Sequence, residues 1–225
     1  MGIQERKQRE REHRRQAVID AAIEVIMKKG FNSMTMDDIA EVAELSKATL
    51  YLYFKSKEEL VIEIVIQVLK HFASYMEAGM KGYEPVTALC KMGESYLKYF
   101  YQFPVHYQIL NYQDNSSDLD YSKFENSLQL VQANSHVWDV ICAPIEAGKQ
   151  KGLFRPDIDS LEYGVMLWTS GTGIINLVSH FQNANHHKLE YVKSMNDDNM
   201  NRMMLIDYEQ MLFHQWDAIL QYIKK

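Results

Sequence analysis

Apolar positions recur with a helical period along almost the whole chain. Ile19, Ala22, Ile23 and Ile26 follow the i, i+3, i+4, i+7 spacing of one helix face and predict an amphipathic helix over 14–29. Gly30 stops it, and Lys28 and Lys29 place positive charge at the carbonyl end of its dipole. Phe31, just after the glycine, is placed to fold back as a hydrophobic lock. Thr35 is a good N-cap with Asp38 three residues on, a capping-box variant, and opens a short helix over 36–43 with Ile39, Ala40 and Ala43 on one side. Ser46 caps a third helix over 47–54. Its i, i+4 pair Leu50 and Phe54 points inward and leaves Lys47, Ala48, Tyr51 and Leu52 on or near the outside. Ser56 and Glu59 form a Ser-x-x-Glu capping box for a long fourth helix, apolar from Leu60 through Phe72 and reaching Met80. Two short helices joined through Glu44–Ser46 make a helix-turn-helix.

Beyond Gly82 the period stays helical. Pro85 suits the first turn of a helix to Gln102, and Pro104 restarts a short one to Tyr112. The stretch 114–118 is polar and turn-like. A long helix is expected over 119–151, with Pro144 as a possible kink point. Gly152 and Arg155-Pro156-Asp157 make a turn, and an apolar helix follows over 160–181. The polar stretch 182–201, with His186 and His187, reads as a loop or frayed insertion before a last helix at 206–223. Ten Gly and four Pro are too few for a loop-rich or all-β fold. The expectation is therefore an all-α chain, with a three-helix helix-turn-helix domain and N-terminal arm over 1–60 and a larger helical domain over 61–225.

Composition adds bounds. Hydrophobic residues at 47% and charged residues at 24% are ordinary for a globular protein. No apolar run approaches the length of a membrane span, and no apolar signal core follows the charged N-terminus, so the expected compartment is the cytoplasm. Cys90 and Cys142, far apart in sequence, read as two reduced, buried thiols. The net charge of −6 looks unsuited to a nucleic-acid binder until it is divided. Residues 1–60 hold eleven of the 24 basic and eleven of the 30 acidic side chains, so the excess negative charge falls entirely on 61–225. Residues 1–15 hold six basic and three acidic side chains. Screening over ~8–10 Å makes this local distribution matter more than the total. The basic run reads either as a solvated, partly disordered tail or as an arm that orders on phosphate.

The combination of Ala21-Ala22, Lys29-Gly30-Phe31, Thr35, Ile39-Ala40, Ala43, Leu45-Ser46, Thr49-Leu50-Tyr51-Leu52-Tyr53-Phe54 and Lys55-Ser56-Lys57-Glu58-Glu59-Leu60 resembles the TetR family of bacterial regulators. The resemblance implies that Thr35 binds a DNA phosphate and that Lys47, Ala48 and Leu52 face base edges. It further implies that Thr49, Tyr51 and Tyr53 touch phosphates or sugars, with Tyr51 also in reach of bases, and that Lys57 pairs with a phosphate. Leu50 and Phe54 are then core. Independently, the helix starts at Thr35, Ser46 and Ser56 suit phosphate oxygens, Lys47 can reach guanine O6 or N7, and Ala48 and Leu52 can meet a thymine methyl. Glu44 departs from the family pattern, which often has Gly there. If that position needs positive φ, Glu costs roughly 1 kcal/mol relative to Gly. Ala48 likewise stands where Gly is frequent.

One recognition helix reads few bases, so a homodimer on a pseudo-palindromic double-stranded operator is expected. By the resemblance, the dimer is built from the helices at 160–181 and 206–223, where Ser170-Gly171-Thr172-Gly173 allows close approach. Tyr96, Phe100, Phe103, Tyr107, Trp138, Cys142 and Trp168 sit on helices that line a ligand cavity in the family, and are the candidate wall of a small apolar or aromatic ligand site. The competing reading gives the C-terminal part a protein partner in place of a small ligand. His106, His136, His180, His186, His187 and His214 match no metal-ligand spacing, and no metal or cofactor is expected. No phosphate loop, Gly-x-Ser-x-Gly, Ser-x-x-Lys or His-Glu-x-x-His is present, so no enzyme is expected. The expected function is a DNA-binding transcriptional regulator, a repressor released by its ligand.

Overall fold

The computed structural model describes residues 2–111, 123–182, 202–203 and 205–225. Among these the helices are α1 (Ile3–Lys29), α2 (Met36–Val42), α3 (Lys47–Tyr51), α4 (Lys57–Met80), α5 (Pro85–Gln102), α6 (Pro104–Leu110), α7 (Ser127–Gln150), α8 (Ser160–Gln182) and α9 (Tyr208–Ile223). The fold is all-α, and a single antiparallel bridge pairs Phe154 with Lys224 among the described residues. No helix among them is long and apolar enough to cross a membrane.

Contacts divide the chain into two compact units, 1–72 with 103–136, and 73–102 with 137–225. The first is more than the expected 1–60 head. It adds the apolar start of α4, all of α6 and the start of α7, because Leu60, Ile64, Val68 and Ile109 belong to one core with α1–α3. That core is built on Val18, Ile19, Ala22, Val25 and Ile26 of α1, and takes Ile39 of α2, Leu50 of α3 and Phe54, all almost fully buried. Gly30 leaves α1 at φ 81, a backbone conformation open to glycine, while its N–H still bonds to the Ile26 carbonyl at 2.9 Å.

The second unit is organised by close helix crossings. A Cβ on Gly93 of α5 would lie 2.7 Å from the Trp216 ring of α9, and one on Gly171 of α8 would lie 3.0 Å from the Tyr96 ring of α5. The chain's last residues are stapled to the α7–α8 turn. The Arg155 N–H donates to the Ile223 carbonyl at 2.9 Å, and the Lys225 N–H donates to the Leu153 carbonyl at 3.2 Å. Phe154 is buried beside Gly148, where no larger residue has room. Ser160 Oγ donates to Glu146, which fixes the start of α8 against α7 and, with Lys149, holds that carboxyl below the usual range.

Three boundaries correct the sequence reading. The basic run is helical and continuous with the first helix: α1 begins at Ile3 instead of residue 14. Residues 4–14 are all exposed, so no core selects this conformation. The local pairs Arg14–Glu10 at 3.0 Å and Gln8–Glu12 at 2.7 Å support it, each contributing ~0.2–0.5 kcal/mol. α3 ends at Tyr51, short of Phe54, because its last turn tightens: Leu52 N–H reaches the Thr49 carbonyl and Tyr53 N–H the Leu50 carbonyl. α9 starts at Tyr208, after Asp207 caps the Gln210 N–H at 2.9 Å. Tyr112, the polar stretch 114–118, the expected helix start at 119–122 and the segment 183–201 with His186 and His187 lie outside the described residues, as does the His180 side chain.

Candidate nucleic-acid interface

The interface candidates are set by two caps and the turn between them. Asp38 N–H donates to Thr35 Oγ1 at 3.2 Å, while Thr35 N–H and Oγ1 donate to Asp38 Oδ2 at 3.2 and 2.8 Å, a reciprocal capping box with Asp as the third residue. Lys29 Nζ, in the last turn of α1, donates to Asp38 Oδ1 at 2.5 Å. Lys29 first, then Thr35, hold the Asp38 carboxyl below the ordinary carboxylate range. α2 exits through a left-handed residue: Glu44 has φ 53, with Leu45 N–H bonded to the Ala40 carbonyl at 2.9 Å and Glu44 N–H to the Glu41 carbonyl at 3.2 Å. This is a Schellman closure with glutamate in the position glycine favours.

Ser46 then caps α3, accepting from Thr49 N–H at 3.1 Å, and its hydroxyl shares a 2.8 Å hydrogen bond with Thr49 Oγ1. Leu50 and Phe54 are fully buried. With that face anchored, Ser46, Lys47, Ala48, Tyr51 and Leu52 are exposed, Leu52 by 74%. Thr35 is also exposed. Thr49, Tyr53 and Lys57 are half-buried, and Tyr53 packs against the head core. Behind the helix, Arg15 lies 4.6 Å from the Phe54 ring centre and pairs with Glu63 at 3.1 Å.

Two partners were not visible in the sequence pattern. Lys47 Nζ lies 2.7 Å from Asp37 Oδ1, and this hydrogen bond raises the lysine above its ordinary range. An acid at the start of α2 looks like a plain helix-dipole residue, so nothing in the spacing marks Asp37. Lys55 Nζ pairs with Glu125 at 3.2 Å, and Asn126 Nδ2 donates to the Glu59 carbonyl at 3.4 Å, so the segment before α7 reaches the start of α4. That contact is 70 residues long in sequence and carries no local signal.

The seven residues of the expected ligand wall fall into both units. In the C-terminal unit, Tyr96 is buried with its hydroxyl 2.7 Å from Thr172 Oγ1, its ring centre 5.4 Å from that of Trp168, and Trp138 and Trp168 are 6.1 Å apart. Phe100 is nearly buried beside Tyr101, and the Cys142 thiol donates to the Ser160 carbonyl at 3.4 Å, with burial pushing its pKa up. Contrary to the expectation of two buried thiols, Cys142 is only half-buried and Cys90 is exposed. Phe103 and Tyr107 belong to the N-terminal unit. Phe103 stacks on His106, with His71 edge-on at 4.7 Å. Burial, then the nearby His71, lower the His106 pKa. Among the described residues no three His, Cys, Asp or Glu side chains gather as a metal group.

Comparison with known proteins agrees with this geometry. Residues 18–64, which span α2, α3 and both caps, match the family described as bacterial regulatory proteins, tetR family. The chain is 28% identical over 179 residues to the HTH-type transcriptional repressor NicS of Pseudomonas putida, covering 78% of each protein. It is 30% identical over 149 residues to the repressor KstR2 of Rhodococcus jostii, covering 65% of this chain and 70% of that one. In fold it matches the crystal structure of the regulator FadR from Bacillus subtilis in complex with stearoyl-CoA, with TM-score 0.68 at 18% identity over 92% of this chain and 98% of that one. The helix-turn-helix head and these relatives together place the chain in the TetR family of bacterial transcriptional regulators, which are DNA-binding proteins and not enzymes.

Proposed function

We propose that the chain acts as a homodimeric repressor, reading a pseudo-palindromic operator with α3 and released from it by a small apolar or aromatic ligand held in the C-terminal part. The observation that carries the DNA assignment is the split of α3: Leu50, with Phe54 just beyond it, is sealed in the core, so Lys47, Ala48, Tyr51 and Leu52 are presented together. A short capped helix with small or flexible outer residues suits the major groove. Lys47, Ala48 and Leu52 read bases. Thr35, Ser46, Thr49, Tyr51, Tyr53 and Lys57 hold the backbone. The functional division is a head over 1–60 and a sensing and dimerising part over 61–225.

Dimerisation is supported by α8, where Leu161, Val165, Met166 and Leu177 are exposed and a Cβ on Gly173 would meet nothing within 4 Å among the described residues, and by the exposed Phe213 of α9. The ligand class is supported by the aromatic composition around Tyr96, Phe100, Trp138, Cys142 and Trp168 of the C-terminal unit. The fold relative FadR carries a ligand with a long apolar chain. Release needs only a difference in ligand affinity between two arrangements, typically ~1–3 kcal/mol. α4 contributes residues to both units.

The test is selection of bound sites from a random duplex library with the full chain, followed by footprinting. A two-fold related pair of half-sites is expected. Tyr51→Phe and Lys57→Ala should weaken binding to all sequences, whereas Lys47→Ala should relax preference at one base position per half-site. Variants that bind like the parent overturn the contact assignment. A chain that stays monomeric in light scattering at micromolar concentration overturns the dimer.

A further inference from the structure

We infer that Asp37 is a specificity-determining positioning residue: its carboxylate holds the Lys47 ammonium so that this lysine reads a base edge in preference to pairing with a phosphate. The inference rests on the assignment of Lys47 to the DNA-reading face. Asp37 lies in the first turn of α2 and Lys47 opens α3, so their 2.7 Å contact bridges the two helices of the motif. Its neighbour Asp38 is engaged inside the capping box and by Lys29. Asp37 takes no part in that cap and projects into solvent with Lys47, their side chains 69% and 55% exposed.

The chemistry follows from charge. An ammonium carries three donors, so Lys47 can keep one on Asp37 and still offer others to guanine O6 and N7. A lysine with no anion beside it is a point charge that pairs with the nearest phosphate, and phosphate contacts carry no sequence information. With Asp37 in place, pairing Lys47 with a phosphate brings two anions around one cation. A base edge has no net charge and escapes that repulsion. Asp37 therefore weakens binding to arbitrary DNA more than binding to the operator, and discriminates by penalising the wrong target.

The experiment measures binding of the full chain to a duplex selected by the parent protein and to a scrambled duplex of equal length, across a salt series. Asp37→Asn should raise affinity for the scrambled duplex by about tenfold and steepen its log–log salt dependence by about 0.9 per freed lysine. Affinity for the selected duplex should change less, so the ratio between the two falls. Asp37→Glu should keep most of the ratio. In a Lys47→Ala background, Asp37→Asn should leave the ratio unchanged. Thermal melts confirm that each variant is folded. Equal gains on both duplexes, or an effect that persists without Lys47, would show Asp37 to be only background charge and overturn the inference. Lys47→Ala with unchanged base preference overturns the Lys47 assignment and the inference together. Lys47→Ala with relaxed preference but a neutral Asp37→Asn overturns the role of Asp37 alone.

Discussion

The head and the C-terminal unit are specified by different kinds of information. In the head, three helix starts are fixed by a cap side chain that accepts the backbone N–H three residues on: Thr35 from Asp38, Ser46 from Thr49, Ser56 from Glu59. Its exits are fixed by the backbone at Gly30 and Glu44. In the C-terminal unit the deciding contacts join residues far apart, such as Gly93 with Trp216 and Tyr96 with Thr172. Local rules place the head's surface residues, and shape complementarity between long helices places the crossings of the other unit. The comparison is sharpened by removing one large side chain from the head's shared core. Phe54→Ala deletes a fully buried ring that helps set the orientation of α3 and stacks under Arg15. The expected loss is about 3–5 kcal/mol, read by chemical denaturation, with DNA binding lost in parallel. A loss under ~1 kcal/mol would mean that the caps alone suffice to hold α3.

The matching probe of the C-terminal unit is Gly93→Ala, because the two kinds of information predict opposite signs. Helix propensity alone favours alanine in the middle of α5 by ~1 kcal/mol. The structure puts the new Cβ 2.7 Å from Trp216 Cε3, a contact with a rigid indole that is itself buried. Overpacking of this kind costs about 1–3 kcal/mol, so net destabilisation is expected. Head-dependent DNA binding should survive below the melting temperature. A stabilised variant would show that the α5–α9 crossing is loose enough to admit a methyl group.

This contrast explains what the sequence made legible. Leu50 and Phe54 were identified as core because i, i+4 spacing is a local signal, and the exposure of Lys47, Ala48, Tyr51 and Leu52 followed from it. The helical layout of the described residues was legible for the same reason. The early end of α3 at Tyr51 was missed because apolar spacing continues smoothly through Phe54 while the backbone tightens. The start of α1 at Ile3 was missed because residues 4–14 have no apolar face, and their helix rests on charge pairs that a periodicity reading ignores. Asp37–Lys47 and Lys55–Glu125 were beyond reach: each joins two ordinary surface charges that only the fold brings together. The grouping of Tyr96, Trp138 and Trp168 is of the same kind, since nothing in their spacing says which rings meet.

A smaller effect tests whether the local rules carry energy as well as position. Ser46→Ala removes the acceptor for Thr49 N–H and the partner of the Thr49 hydroxyl. Loss of an N-cap typically costs about 1 kcal/mol. Because α3 is only five residues long, the loss should fall mainly on the order of the reading face. Operator affinity should drop by more than the change in global stability accounts for. Ser46→Asp should restore the cap while adding a negative charge beside the DNA, so stability recovers and affinity does not.

The smallest effect concerns the one place where the head breaks its own rule. Glu44 occupies the left-handed position of the turn at φ 53, with its side chain exposed. A side chain in that conformation costs ~1–2 kcal/mol, and glycine gives back ~0.4–1 kcal/mol of that relief through greater freedom in the unfolded chain. Glu44→Gly should therefore stabilise the head by about 0.5 kcal/mol, seen as a shift in denaturation midpoint with unchanged slope. Glu44→Ala separates strain from charge, since alanine keeps the strained backbone and only removes the carboxylate. It should leave stability almost unchanged while tightening DNA binding at low salt about as much as Glu44→Gly does. Destabilisation by Glu44→Gly would mean that the glutamate side chain holds the turn by a contact worth more than the strain. The turn would then be locally encoded by a residue that the family's glycine preference does not predict.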